Sequence, residues 1–407
     1  MQALHKALED ALGKSPETVF EELLARKLKV HGIQLSRRQR RRLREKILRG
    51  DSKTFHLRPW RFWDNRQILI EFTPEEIQEF GDRFVAEQLP QVIEALNSEL
   101  ASRILALLKR RWRREWRQQR RELANFQRHL HSRWDVPLGL LRMLLTISRE
   151  FGGNVNQELR TVGAESPNQV EVLTRLHARA CQVTEEILVL LSAGLADGAM
   201  ARWRTLHEIA VIALFIGQHG EDLAERYVQH QTVESRRAAT EYAACQESLG
   251  LEALDPVDVS ALEHSYEAAL SRYGTSFSAQ YGWASQQLGI KKPTFADIER
   301  ALGIGYIRPY YRMATYNVHA NPKGAFFKLG LLEDTDLLLA GPSDLGLAEP
   351  GHCAAISLVQ VSAPLGVLCP TLDNLVALRM MFELEGEVGH AFGIAHEQLV
   401  SEASPTP

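Results

Sequence analysis

Two short segments each set an arginine and a histidine on a predicted helix: Arg202-Trp203-Arg204-Thr205-Leu206-His207-Glu208 and Arg312-Met313-Ala314-Thr315-Tyr316-Asn317-Val318-His319. A histidine exchanges a proton near neutral pH, while a guanidinium stays charged and clamps phosphate oxygens. Together they supply what metal-free cleavage of RNA requires: proton transfer at a ribose 2′-hydroxyl and stabilisation of charge on the phosphate. The second segment has the better geometry. Arg308-Pro309 opens a helix and Asn321-Pro322-Lys323-Gly324 closes it. Within it Arg312, Thr315, Tyr316 and His319 recur at offsets of three, four and seven. Arg312 and His319 then stand about 20° apart and on the order of 10 Å distant, close enough to meet one phosphate. They are the candidate catalytic pair. Tyr316 shares their face, Asn317 and Asn321 can hydrogen-bond a ribose or orient the imidazole, and Lys323 adds a cation. The same residues equally suit a half-buried helix with a polar last turn.

In the first segment Arg204, His207, Glu208 and Val211 fall on one stripe, whereas Arg202 is turned roughly 140° from His207. Arg204 and Glu208 form the natural ion pair with His207 beside it, either as a structural clasp or as part of the same pocket. On the following helix Arg226 and His230 lie one turn apart around Tyr227, with the same two uses open to them. A dinuclear metal site would need two helical Glu-x-x-His motifs plus further carboxylates. Glu387-x-x-His390 qualifies, but Glu349-x-x-His352 straddles Pro350-Gly351 and is not expected to be helical throughout. No metal site and no cofactor is assigned. Neither a Ser/His/Asp signature nor a glycine-rich phosphate or dinucleotide loop occurs.

The elements that must position these residues are helices. Ser15-Pro16, Thr73-Pro74, Ser166-Pro167 and Asp255-Pro256 read as caps followed by proline at the first helical position, and Thr73–Glu76 and Ser166–Gln169 fit the reciprocal capping pattern. Apolar residues recur at helical spacing over 16–30, 36–48, 74–88, 91–134, 168–194, 197–217, 221–250, 256–272 and 352–385, and only 67–72 resembles a strand. One strand makes no sheet, so the class is all-α: a multi-helix bundle preceded by a basic helical N-terminal region. Breaks at Gly152-Gly153-Asn154, 163–168 and 341–351 divide the chain into a basic region 1–165, a bundle 166–400 carrying the arginine and histidine motifs, and a flexible tail 401–407.

The 407 residues carry a net charge of −3, which conceals an asymmetry. Residues 36–49 hold eight basic side chains against one acidic, and 103–133 hold eleven against two, leaving the rest strongly acidic. Within the second run, Arg110, Arg111, Trp112, Arg113, Arg114, Trp116 and Arg117 combine aromatic faces that can stack bases with guanidiniums that can hold phosphates. RNA or another polyanion is the expected partner of this region, with docking on the chain's own acidic surface as the alternative. No uninterrupted apolar run of about 18 residues occurs, and the N-terminus lacks a leader pattern, so no membrane partner and a cytoplasmic location are expected. Cys181, Cys245, Cys353 and Cys369 lie far apart and read as reduced, mostly buried thiols.

The run Leu191–Glu208, then Ala224-Glu225-Arg226-Tyr227 with His230, then Tyr316-Asn317-Val318-His319-Ala320-Asn321-Pro322, resembles a bacterial family known only as a domain of unknown function, over roughly residues 165–400. Arg312-x6-His319 is also similar to the arginine-to-histidine motif of HEPN domains, helical bundles that include toxin and defence ribonucleases. Met313 stands where those nucleases usually carry a polar residue. The likeness implies a metal-independent endoribonuclease in defence or growth control, with two copies facing each other in a homodimer. A non-catalytic helical module that binds nucleic acid or protein is the competing reading.

Overall fold

The computed structural model describes residues 24–30, 35, 38, 54–57, 68–71, 73–83, 86, 89–162, 166–319, 321–331 and 337–403. The expected cap at Ser15-Pro16 and nearly all of the basic run 36–49 lie outside these residues. The chain forms two compact units, Met1–Arg121 and Glu122–Pro407.

In the first unit, β1 (Thr54–Leu57) pairs antiparallel with β2 (Ile68–Glu71), with Thr54 opposite Glu71 and Leu57 opposite Ile68. The strand expected at 67–72 therefore has a partner, whose four residues are too few to show a period in sequence. This hairpin is the only sheet among the described residues, and the protein is an all-α multi-helix fold. Helix α1 (Pro74–Arg83) opens on the expected reciprocal cap: the Glu76 amide donates to Thr73 Oγ1 at 3.3 Å, and the Thr73 amide donates to Glu76 Oε2 at 3.1 Å. Helix α2 (Leu89–Val162) is 74 residues long.

From Glu122 onward α2 belongs to the second unit, with α3 (Pro167–Ser192), α4 (Ala196–His219), α5 (Glu221–Gln229), α6 (Gln231–Leu249), α7 (Pro256–Tyr273), α8 (Ser285–Leu288), α9 (Phe295–Ala301), α10 (Arg308–Val318), α11 (Pro322–Phe326), α12 (Ala348–Leu368) and α13 (Leu372–Ala403). Its stripe Leu130, Trp134, Leu138, Leu141, Leu145 and Val155 is buried, because α3, α12 and α13 pack along it. The boundary expected at 165/166 is thus a connection between two helices of one unit. Nor do Gly152 and Gly153 interrupt α2, although they were expected to mark a break. A Cβ on Gly152 would lie 2.4 Å from the His177 ring, so this glycine admits close packing instead.

Three further differences concern helix ends. The expected reciprocal cap of Ser166 and Gln169 does not form; Glu221 caps α3 from the start of α5, accepting from the Asn168 and Gln169 amides at 3.1 and 2.9 Å. The segment expected as one helix over 352–385 is two, separated at Cys369-Pro370-Thr371. Helix α12 also starts earlier than expected, so Glu349 and His352 are both helical. Pro350 falls in the first turn, where its missing N–H would have had no intrahelical partner. The 21-residue α12 has mean hydropathy 1.4, long and apolar enough to cross a membrane, yet 67% of that stretch is buried against its neighbours in the bundle. Cys181 and Cys353 are buried, Cys369 is half-buried and Cys245 exposed, all as free thiols.

The core also contains a small polar knot. Ser362 donates to the Leu358 carbonyl at 2.9 Å, so its oxygen is left to accept. Ser148 Oγ and His177 Nε2 each lie 3.1 Å from it, and 3.2 Å from one another. Burial pushes the His177 imidazole down to about 4, which keeps it neutral. Because the folded pKa lies below the unfolded value near 6.5, the unfolded chain binds more protons in between. Stability is therefore full above about pH 6.5 and declines as pH falls toward 4, by up to ~3 kcal/mol from this group. Urea titrations between pH 7 and 4.5 will show the loss, and His177→Gln should flatten it; an equally steep decline in the variant would assign the pH dependence to other groups.

Candidate functional site

Helices α4 and α10 lie antiparallel: Glu208, midway along α4, meets Tyr311, early in α10, whereas Asp197 at the start of α4 meets Asn317 near the end of α10. The inner stripe of α4 (Trp203, Leu206, Ala210) is buried, which turns Arg204 and Glu208 toward α10. Arg204 Nη2 sits 3.2 Å from Glu208 Oε1, as expected from their spacing, and the guanidinium lies 5.0 Å from the centre of the Tyr311 ring. The Tyr311 hydroxyl donates to the same Glu208 oxygen at 2.6 Å. Burial and this carboxylate hold the Tyr311 hydroxyl well above its ordinary range, and burial, then Glu208, pushes Tyr281 up to about 12. For Arg204, partial burial opposes charge, but the bond to Tyr311 and the attraction of Glu208 outweigh it and raise its pKa. Arg202 points away and pairs with Glu186 on α3.

His207 is completely buried among Trp203, Phe295 and Tyr311, at ring-centre distances of 5.3, 5.9 and 5.8 Å. Its Nε2 lies 3.0 Å from Oε1 of Glu299, itself 1% exposed. The other Glu299 oxygen accepts from Nη1 of Arg308 at the start of α10. An imidazole, a carboxylate and a guanidinium so run from the core to the surface and tie α4, α9 and α10 together. His207 Nδ1 is buried without a partner. Sequence reasoning missed Glu299 altogether. The Thr294-to-Asp297 capping box that starts α9 was a usable signal for the helix, but nothing in the sequence marks Glu299 as buried.

Arg308 also opens onto a cleft of about 690 Å³ lined with Arg312, Lys323, Tyr316, Met313 and Phe327. Three of the lining side chains are cationic and none is acidic. Lys323 Nζ sits 5.4 Å from the centre of the Tyr316 ring. Arg312 is exposed, and so is His319. His319 is the C-cap of α10: its amide still donates to Thr315 O at 3.3 Å, but its φ of −109° and ψ of 150° turn the chain out of the helix. It lines a neighbouring recess of about 410 Å³ with Asn317, Asn321 and Lys328. Arg312 and His319 therefore belong to adjacent hollows that share Tyr316. The two asparagines expected to serve a ligand have structural bonds: Asn317 donates to Asp197 at 3.1 Å, and Asn321 caps α11 by accepting from the Lys323 amide at 2.9 Å.

Arg226 and His230 are not part of this cleft. Arg226 is buried and donates to the Trp283 carbonyl at 2.9 Å and Gln286 Oε1 at 3.1 Å, while His230 Nε2 lies 3.0 Å from the Ala279 carbonyl. Both fasten the irregular segment 274–286 to α5, and His230 marks the kink that splits the expected helix 221–250 into α5 and α6. The arginines flanking Trp112 and Trp116 are exposed on α2 in the first unit. Among the described residues, no group of three or more His, Cys, Asp or Glu side chains is placed to hold a metal.

Residues 170–336 match a family of unknown function (DUF5677), a span that begins in α3 and takes in the buried chain, the cleft and α11. No curated protein and no solved structure matches the chain. Likeness to HEPN nucleases therefore rests on the spacing of Arg312 and His319 alone.

Removing one partner of a buried ion pair strands the other, at a cost of about 3–5 kcal/mol. Glu299→Ala should lower unfolding stability by that order, whereas Arg308→Ala, whose partner keeps His207, should cost less. Chemical denaturation of the two variants measures the difference, and a neutral Glu299→Ala would show that the chain of contacts does not hold the helices.

Proposed function

We propose that the α10 face binds an RNA backbone and cleaves it, with His319 and Arg312 as the working pair. The supporting observation is the cleft in which Arg308, Arg312 and Lys323 converge with no acidic lining residue, next to a recess that exposes the His319 imidazole. A phosphate seated against the arginines is held by charge-assisted, bidentate hydrogen bonds. A ribose crossing Tyr316 brings its 2′-hydroxyl to His319, which takes the proton as the 2′-oxygen attacks phosphorus. The 5′-oxygen leaves with a proton from solvent, a 2′,3′-cyclic phosphate remains, and Arg312 offsets the charge that builds on the phosphoryl oxygens. A second copy of the chain facing this cleft would double the pair, as in the homodimer that the HEPN likeness implies.

A binding module without catalysis is the second reading. It is favoured by the separate recesses of Arg312 and His319, and by the consumption of Glu208, Asn317 and Asn321 in bonds that fix helix register.

Incubation of the protein with structured RNA in the presence of a chelator separates the readings. His319→Ala and Arg312→Ala should each slow cleavage at least about 100-fold. Both residues are exposed, so the fold should persist. RNA affinity by fluorescence anisotropy should survive His319→Ala and weaken in Arg312→Ala. Equal cleavage by wild type and His319→Ala would end the catalytic proposal, and RNA binding without cleavage by any form would support the module.

A further inference from the structure

Helix α2 carries an apolar face, in the first unit, whose geometry differs from what alternating arginines and tryptophans suggest. At about 100° per residue, Ile104, Leu105, Leu108, Trp112 and Trp116 fall within an arc of roughly 120°. All five are exposed, between 48% and 58%. Lys109, Arg110, Arg113, Arg114, Arg117 and Arg120 occupy the remaining side, a second arc of roughly 140°. Leu107 lies outside the apolar arc, Arg111 borders it, and Glu115 and Gln119 are the two polar residues that fall inside it. The tryptophans thus belong to the leucine face, and their rings stack on each other at 6.1 Å with an interplanar angle of 22°.

We propose that residues 104–120 form an interfacial helix that lies on an anionic lipid surface. Leucine, isoleucine and tryptophan on one face with arginine and lysine on the other is the pattern that settles at the headgroup boundary, the apolar side a few ångströms into the acyl region. Arginines flanking that side extend their guanidiniums to lipid phosphates while their stems stay in the apolar layer. An RNA strand fits less well: phosphates would seek the arginine side of the helix while the tryptophans stand on the leucine side. A second copy fits less well too, since it would bring two densely cationic flanks together. The arc is also wider than the two-position seam of a coiled coil. Contact of this kind needs no membrane-spanning run, so it is compatible with the lack of an uninterrupted apolar stretch of about 18 residues.

The test is co-sedimentation of the full-length protein with vesicles of phosphatidylcholine alone and of phosphatidylcholine with about one-third phosphatidylglycerol. Binding should require the anionic lipid and fall steeply with salt. The exposed pairs Leu105→Gln with Leu108→Gln and Arg113→Gln with Arg117→Gln should each weaken it on the order of tenfold or more. Circular dichroism of both variants should match wild type, and RNA cleavage by the first should be unchanged, which separates this proposal from the function proposed above. The proposal is overturned by equal binding to neutral vesicles, by no binding to anionic ones, or by variants that bind as well as wild type. It is equally overturned if these substitutions abolish RNA affinity or dimerisation and leave vesicle binding intact.

Discussion

The contact on which the second unit most depends is the one between His207, Glu299 and Arg308. A carboxylate that is 1% exposed would be very costly to bury alone, and each of its oxygens is matched, one by an imidazole and the other by a guanidinium. Because the three residues come from α4, α9 and α10, their requirement for one another sets where α10 starts and how it lies on α4. The same requirement delivers Arg308 to the edge of the cationic cleft. Structure and candidate function therefore meet at one side chain: the guanidinium that closes the buried chain also lines the cleft.

Around this axis, polar groups in the second unit divide by depth. Deep ones are mostly committed, Arg226 to backbone carbonyls, His177 to two serine hydroxyls and His207 through Nε2 to Glu299, while the half-buried Glu208 is bonded to Arg204 and Tyr311. Those at the surface of α10 and α11, Arg312, His319 and Lys323, remain open to a ligand. Such a division is what a phosphate-binding surface on a rigid support needs, since the supporting bonds hold the helices while the outer cations stay available. Helix α2 shows a parallel contrast within one element. Beyond Glu122 its apolar stripe is buried by other helices, whereas between Ile104 and Trp116 a comparable apolar face is exposed and backed by arginines.

Much of the fold was legible because it depends on local signals. Helical periodicity located most helices of the second unit, and cap positions followed by proline marked the starts of α1, α3 and α7. The Arg204–Glu208 pair and the outward turn of Arg202 followed from 100° per residue alone. The errors share a cause. Gly152 looked like a break because glycine usually signals one, and only the neighbouring His177 ring shows that it is a packing residue. Ser166 looked like a cap, but Glu221, 55 positions later, won the amides. His319 looked like a full member of the Arg312 face, yet it stands where the helix ends and its dihedrals leave the helical region.

By itself the amino-acid sequence determined the class of the protein, most of its helices, and the side-chain types available for chemistry, since periodicity, caps and composition are properties of residues a few positions apart. Only the tertiary structure decided which of those side chains are spent and which are free. Glu299 next to His207, Arg226 against the 283 carbonyl, and Arg308 beside Arg312 and Lys323 are meetings of distant segments. Burial is what gives these meetings their force, because a charge removed from water must find its partner wherever the packed helices place one.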